Sequence, residues 1–72
     1  MDTKTHLLQM AKQIADNFSG YGPEVATEKV TKHLKSFWEP RMKAALFAHL
    51  DEGGADLPPV VKEAATRLRA MY

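Results

Sequence analysis

Hydrophobic residues recur every three or four positions along most of the chain, which is the spacing of an amphipathic helix. The spacing is clearest over residues 5–18. The apolar positions of this segment are Leu7, Leu8, Ala11, Ile14, Ala15 and Phe18. Gly20 follows, and glycine can end a helix by adopting a left-handed conformation at little steric cost. No segment alternates polar and apolar residues over a strand length, so the pattern predicts helices and no sheet.

Three further helical segments are separated by glycine and proline breaks at residues 20–23, 38–40 and 53–59. The second and third segments begin at Pro23 and Pro40, where proline suits a first turn because it lacks the N–H that would be unpaired there. The fourth segment starts within residues 56–59 and runs to the end. The predicted apolar faces are Ala26, Val30, His33, Leu34 and Phe37 in the second segment, Met42, Ala45, Leu46, His49 and Leu50 in the third, and Leu57, Val61, Ala64, Ala65, Leu68 and Met71 in the fourth. Four short helices with short loops predict an all-α fold, a small bundle of four short helices over a single domain of residues 1–72.

Size makes the stability of this domain depend on some additional support. A chain of 72 residues and 8.1 kDa buries only about 60% of the surface that its unfolded form exposes. Small domains usually gain stability from disulfides, metals or partners. The chain has no cysteine, which excludes disulfides, thiolate metal ligands and a cysteine nucleophile, and fits a reducing compartment. Three histidines and nine acidic residues are too scattered to predict a metal site, so a protein partner is the remaining candidate.

Charge and hydropathy limit the partners further. The longest apolar runs are three or four residues, and no signal peptide is visible, so we expect a soluble cytoplasmic domain without membrane contact. A net charge of +1 lacks the basic excess that is usual in nucleic-acid binding modules. Basic residues do surround the second predicted break, namely Lys29, Lys32, Lys35, Arg41 and Lys43. The third helix nevertheless begins with few base-reading side chains, so a DNA-binding regulator is the less favoured hypothesis.

The sequence carries no catalytic template. There is no glycine-rich phosphate loop and no nucleophile elbow, and the paired acids Asp51 and Glu52 would point about 100° apart on a helix. We therefore predict no catalytic, cofactor-binding or metal-binding residue. His33 and His49 lie on predicted apolar faces. Each could hydrogen-bond a backbone carbonyl or a partner protein, whereas a shared metal would need them to converge with further ligands.

The most distinctive segment lies between the second and third helices. It consists of Phe37, Trp38, Glu39, Pro40, Arg41 and Met42. One interpretation is that Phe37, Trp38 and Met42 fill the core at this corner. The other is an interface anchor, because Trp, Met and Arg are enriched at interfaces. Both can hold if Phe37 lies inward while Trp38 and Arg41 face a partner, with Arg41 pairing with Glu39 or stacking on Trp38.

At these residues the chain resembles the delta subunit of NAD-dependent, molybdenum-containing formate dehydrogenases. The resemblance rests on two blocks, residues 10–18 (MAKQIADNF) and residues 33–42 (HLKSFWEPRM). The family commonly has asparagine at the position of Lys12. Further matching positions are Leu46, His49, Leu50, Gly53, Gly54, Ala55, Leu57, Pro58, Val61 and Ala64. The resemblance covers roughly residues 7–65, and the second block is the specific one.

The resemblance implies a non-catalytic accessory subunit that binds no cofactor itself. In such enzymes an alpha subunit holds a bis-molybdopterin guanine dinucleotide (bis-MGD) molybdenum centre and iron–sulfur clusters. Beta and gamma subunits carry FMN and further clusters, and the complex oxidises formate to CO2 while reducing NAD. The chain would support assembly or stability, mainly through the alpha subunit, or alternatively act as a transient maturation chaperone for insertion of the molybdenum cofactor. The expected protein-interface residues are Phe37, Trp38, Pro40, Arg41, Met42, His33, His49, Gln13 and Asn17.

Overall fold

Four helices form in the order that the sequence predicts. The computed structural model of the chain describes residues 3–71, without the side chain of Thr3. The helices are α1 (Thr3–Asn17), α2 (Pro23–Phe37), α3 (Pro40–Asp51) and α4 (Pro59–Ala70), and residues 3–71 contain no strand. The predicted all-α fold is confirmed. None of these helices is long and apolar enough to cross a membrane within the described range.

Proline starts three of the helices. Pro23, Pro40 and Pro59 lie in the first turns of α2, α3 and α4, respectively. The sequence predicts this position for Pro23 and Pro40. The preceding residues Gly22 and Glu39 have extended backbone, and neither supplies a side-chain cap. Because proline has no N–H and a fixed φ, it reduces the number of unpaired donors at the helix start without a capping side chain.

The end of α1 differs from the prediction. Gly20 does not adopt a left-handed conformation; the glycines with positive φ in the described range are Gly53 and Gly54. Instead the chain leaves α1 through tight turns, in which the Tyr21 N–H donates to the Phe18 carbonyl at 3.2 Å. The Ser19 hydroxyl also donates to the Asp16 carbonyl at 2.9 Å. These bonds satisfy the last carbonyls of α1, so no left-handed residue is needed there.

One apolar cluster joins all four helices. The most extensive contact is between α2 and α4, and α1 packs against α2, α3 and α4. The buried members of the cluster are Leu7, Ala11, Ile14, Val30, Leu34, Trp38, Leu46, Leu57, Val61, Ala64, Ala65 and Leu68. Alanines on α1 and α4 leave little side chain between the backbones, which allows short helices to approach closely. The core therefore combines large leucines with small residues at helix contacts.

Two arginines of α4 form ion pairs with the neighbouring helices. Arg67 lies 3.0 Å from a Glu24 carboxylate oxygen on α2 and 3.3 Å from Glu63 one turn earlier on α4. Arg69 forms a two-pronged pair with Asp51 at the end of α3. Hydrogen bonds from these arginines hold the pKa of Glu24 and that of Asp51 below their usual values. Glu24, Asp51 and Arg69 are exposed and Arg67 is half-buried, so each pair adds little to stability.

Candidate interaction surface

The corner between α2 and α3 places two neighbouring aromatic residues in opposite environments. Trp38 is 6% exposed and belongs to the core, whereas Phe37 is 74% exposed. The arrangement with Phe37 inward and Trp38 outward is therefore wrong. The core interpretation is confirmed for Trp38 and for Met42, which packs half-buried against the core, but not for Phe37. The buried positions Val30 and Leu34 are four residues apart, and Trp38 continues that row by one further step. Phe37 lies about 100° away from it on the helix.

Backbone and lysine hydrogen bonds hold this corner. The Trp38 N–H donates to the Leu34 carbonyl at 3.3 Å, and the Lys43 ammonium donates to the Lys35 carbonyl at 2.9 Å. Pro40 is exposed at the first turn of α3, and Met42 is half-buried against the core. The corner is thus a rigid connection in which Lys43 satisfies a carbonyl at the end of α2.

Arg41 does not form the interactions with Glu39 and Trp38 that the sequence suggests for it. The side chain is exposed, and within residues 3–71 it forms no ion pair, hydrogen bond or ring contact. The predicted pairing with Glu39 and the stacking on Trp38 are therefore not found in this part of the chain. Trp38 cannot offer a ring face to Arg41 because its ring is buried.

A partly exposed surface of aromatic and lysine side chains runs along α2 and the end of α1, with Phe18, Lys29 and His33 half-buried. We define this aromatic–lysine face as Phe18, Tyr21, Lys29, Lys32, His33 and Phe37. The His33 ring lies 4.9 Å from Phe37 and 6.4 Å from Phe18, centroid to centroid, and Phe18 lies 6.1 Å from Tyr21. These separations are those of interacting ring pairs. The four rings form a connected row, of which Tyr21 is 49% and Phe37 74% exposed.

Two lysines border this row. The Lys29 ammonium lies 4.8 Å from the centre of the Tyr21 ring, a distance typical of a cation–π contact. Lys29 and Lys32, with Ser36, lie on the same side of α2 as His33, because residues three, four and seven positions apart share one face of a helix. Together with Phe18 and Phe37 they line a shallow depression of about 260 Å³. The surface is therefore apolar in its centre and cationic at its border.

A wider groove adjoins the face at Phe18 and Tyr21. Its volume is about 650 Å³, and it lies between the end of α1 and the starts of α2 and α4. Its lining combines the prolines Pro23, Pro58 and Pro59 and other apolar side chains with polar and charged ones. The Glu24–Arg67 ion pair closes one side of this groove.

The two histidines of the predicted apolar faces have different roles. His49 is buried, and its Nε2–H donates to the Ala55 carbonyl at 2.6 Å, which ties α3 to the following loop. The predicted hydrogen bond to a backbone carbonyl is confirmed for His49. Its Nδ1 has no hydrogen-bond partner within residues 3–71; the nearest carboxylate oxygen, from Glu52, is 4.0 Å away. His33 instead contacts the rings of Phe18 and Phe37 on the outer side of α2.

Other predicted site residues stand apart from these contacts. Gln13 and Asn17 are exposed one turn apart on α1, and no side chain of residues 3–71 forms a hydrogen bond with either. In the same range no three His, Asp or Glu side chains converge in a way that could hold a metal ion.

Sequence reasoning missed part of the aromatic–lysine face. The apolar spacing predicts Phe18 on the core stripe of α1, and Phe18 does pack against the core while also contacting the rings of Tyr21 and His33. Tyr21 falls in a glycine-rich break to which the sequence pattern assigns no role. The available signal was spacing: Tyr21, Val25 and Lys29 are four residues apart, which is one helix face continuing that of His33 and Phe37. Tyr21 lies just before α2, so a pattern confined to the helix itself excludes it.

Comparison with models of protein families identifies the family of the chain. Residues 6–65 match the family model described as NADH-dependent formate dehydrogenase delta subunit FdsD. No curated protein and no solved structure matches the chain. The matched range extends from the start of α1 into α4 and includes the aromatic–lysine face and the α2–α3 corner.

Proposed function

The chain belongs to the family of NADH-dependent formate dehydrogenase delta subunits, and on this premise we propose that it is a non-catalytic accessory subunit. In this proposal it supports assembly or stability of a cytoplasmic complex whose other subunits oxidise formate to CO2 and reduce NAD. Those subunits carry the bis-MGD molybdenum centre, the iron–sulfur clusters and FMN. The chain has no cysteine and so offers no thiolate for an iron–sulfur cluster.

The observation that carries this proposal is the exposed apolar surface along α2. In the described part of the chain, the large hydrophobic residues that are exposed are Tyr21, Val25, Phe37 and Met71. The first three lie on α2 or just before it. Aromatic residues are enriched at protein interfaces, and an exposed group of them on a small domain indicates an interaction site. We propose the alpha subunit as the main contact, with the beta and gamma subunits in the same complex.

Deletion of the chain tests the proposal directly. The remaining subunits would be expressed with and without the chain, and the products compared for the amount of intact complex, the formate oxidation rate and the molybdenum content. We expect less intact complex and lower molybdenum content without the chain. Unchanged amount, activity and molybdenum content would contradict an accessory role.

The stoichiometry of the purified enzyme separates a permanent subunit from a maturation chaperone. A structural subunit is present at one copy per catalytic subunit in the active complex. A chaperone for cofactor insertion is needed while the complex forms and is then missing from the active enzyme. Quantitative mass spectrometry of the purified complex measures this ratio, and a value near one supports our proposal over the chaperone.

A further inference from the structure

We propose that the aromatic–lysine face docks an acidic segment of another subunit of the complex, with one apolar side chain of that segment seated against Phe37 and His33. Carboxylates on either side of the apolar residue then pair with Lys29 and Lys32. This inference rests on the proposed accessory role, and it adds the surface of this chain that makes the contact and the chemistry of the partner segment.

The apolar part of the argument comes from the ring row. Phe37 is 74% exposed, yet its ring is held 4.9 Å from His33, which in turn packs on Phe18. An aromatic side chain that is fixed by its neighbours loses little conformational freedom when it is covered, which favours binding. The adjoining depression of about 260 Å³ is smaller than typical pockets for small molecules, about 300–1,000 Å³. Its size suits a side chain of a partner protein better than a free ligand.

The charge of the face selects an acidic partner. Neither Lys29 nor Lys32 forms an ion pair with any acid in residues 3–71, whereas Arg67 and Arg69 on α4 both do. The nearest acid along α2 is Glu28, one turn before Lys32 and at the border of the face. The face therefore carries positive charge that is not neutralised within this range, next to exposed rings. Complementary charge of this kind sets partner choice and association rate.

Single-stranded nucleic acid is the competing occupant, because lysines and aromatic rings also bind bases. The chain as a whole has a net charge of only +1, which gives little general attraction for a phosphate backbone. The rings are also tilted or edge-on to one another, at 47°, 68° and 38°, so they do not form a row of parallel stacking platforms. These features favour a protein segment.

The test uses the enzyme complex purified from cells that lack the chain, to which fluorescently labelled chain is added back. We expect Phe37→Ala to weaken binding at least tenfold. Lys32→Glu should weaken it about three- to tenfold at low salt, with a smaller difference at 0.5 M salt because ions screen the pairing. Matched controls are Met71→Ala, which also truncates an exposed apolar side chain, and Lys12→Glu, which reverses an exposed charge on α1. Both should bind within twofold of wild type.

Each outcome has a definite meaning. Failure of the wild-type chain to bind the complex contradicts the accessory role itself. If the wild-type chain binds, but the Phe37 and Lys32 variants bind as well as their controls, the docking surface is assigned wrongly while the accessory role stands. Micromolar binding of a labelled twelve-residue poly(U) RNA that these same variants abolish would also overturn the proposal. Circular dichroism of every variant confirms that the helices are intact.

Discussion

At the scale of single residues, Phe37 and Trp38 show how position within a helix decides burial. Both are large and aromatic, and they are adjacent in sequence. Val30, Leu34 and Trp38 form one buried row in the core cluster, and Phe37 falls outside it. Burial of the larger ring at the end of that row removes more apolar surface from water.

This difference predicts opposite effects of two neighbouring substitutions. We expect Trp38→Ala to lower the free energy of unfolding by about 3–5 kcal/mol, because it leaves a cavity in the core. Phe37→Ala should change it by less than about 0.5 kcal/mol, as is usual at an exposed position. Urea unfolding followed by circular dichroism measures both. Equal effects of the two substitutions would mean that the corner is packed differently.

Two threonines of α2 are buried at positions where the apolar pattern does not predict burial. The pattern predicts His33 and Phe37 on the buried stripe, whereas Thr27 and Thr31 occupy it instead. These threonines can be buried because their hydroxyls donate to the Pro23 carbonyl at 2.8 Å and to the Thr27 carbonyl at 2.7 Å within the same helix. Hydrophobicity alone ranks threonine below phenylalanine, so the sequence cannot show that the buried side of α2 is turned toward them.

At the scale of elements, the sequence predicts the four helices but does not show that α1 and α3 end in different ways. Gly20 and Gly53 both follow a helix, at the first and third breaks that the sequence shows. Gly53 has φ +111 and Gly54 φ +66, whereas Gly20 has an ordinary φ. The difference arises in the loop after α3, where the Gly54 N–H donates to the His49 carbonyl and the His49 ring bonds Ala55. Such loop contacts depend on tertiary structure.

The two glycines therefore should respond differently to alanine. Gly53→Ala places a Cβ on a residue with positive φ, which costs about 1–2 kcal/mol. Gly20→Ala meets no atom within 4 Å, and it restricts the unfolded chain, so it should be neutral or stabilise by up to about 1 kcal/mol. Thermal unfolding of both variants compares them. Similar losses of stability would indicate that Gly20 also needs a left-handed backbone.

The ion pairs between helices predict a dependence on pH at the same scale. The hydrogen bond and charge of Arg67 lower the pKa of Glu24 from 4.5, and Arg69 lowers that of Asp51 from 3.8. A carboxyl with a lowered pKa in the folded state stabilises the fold above its unfolded value, and the contribution disappears as pH falls through the folded value. We expect the small contribution of Glu24 to be complete at neutral pH, to decline once the pH falls below about 4.5, and to be lost as the pH passes through the lowered folded value. In Arg67→Gln the pKa of Glu24, measured by carboxyl ¹³C NMR, should rise towards 4.5; an unchanged value would contradict the pair.

At the scale of the whole molecule, the fold closes without a partner. The chain exposes 4628 Å², close to the roughly 4,500 Å² that scaling with mass gives for a folded monomer of this size. Its radius of gyration of 11.0 Å also equals the value of about 11 Å for a compact domain of this length. The small size of the chain therefore limits its free energy of unfolding, whereas its core is complete. Of the large hydrophobic residues exposed within residues 3–71, Tyr21, Val25 and Phe37 lie on or just before α2, and Met71 follows α4.

This distinction leads to an expectation for the isolated chain. A single core of this size rarely contributes more than about 3–5 kcal/mol, so the chain alone should unfold cooperatively but at low denaturant concentration.

A partner that binds only the folded form adds about 2.7 kcal/mol when it is present at a hundred times its dissociation constant. Hydrogen exchange of the α2 amides, measured with and without the complex that lacks the chain, should therefore slow by about a hundredfold on binding. The Phe37→Ala chain folds equally well alone but should gain less protection, because its contact with the complex is weaker. If the wild-type chain alone shows no cooperative transition, its folding itself depends on the partner, and the closed core described here forms only in the complex.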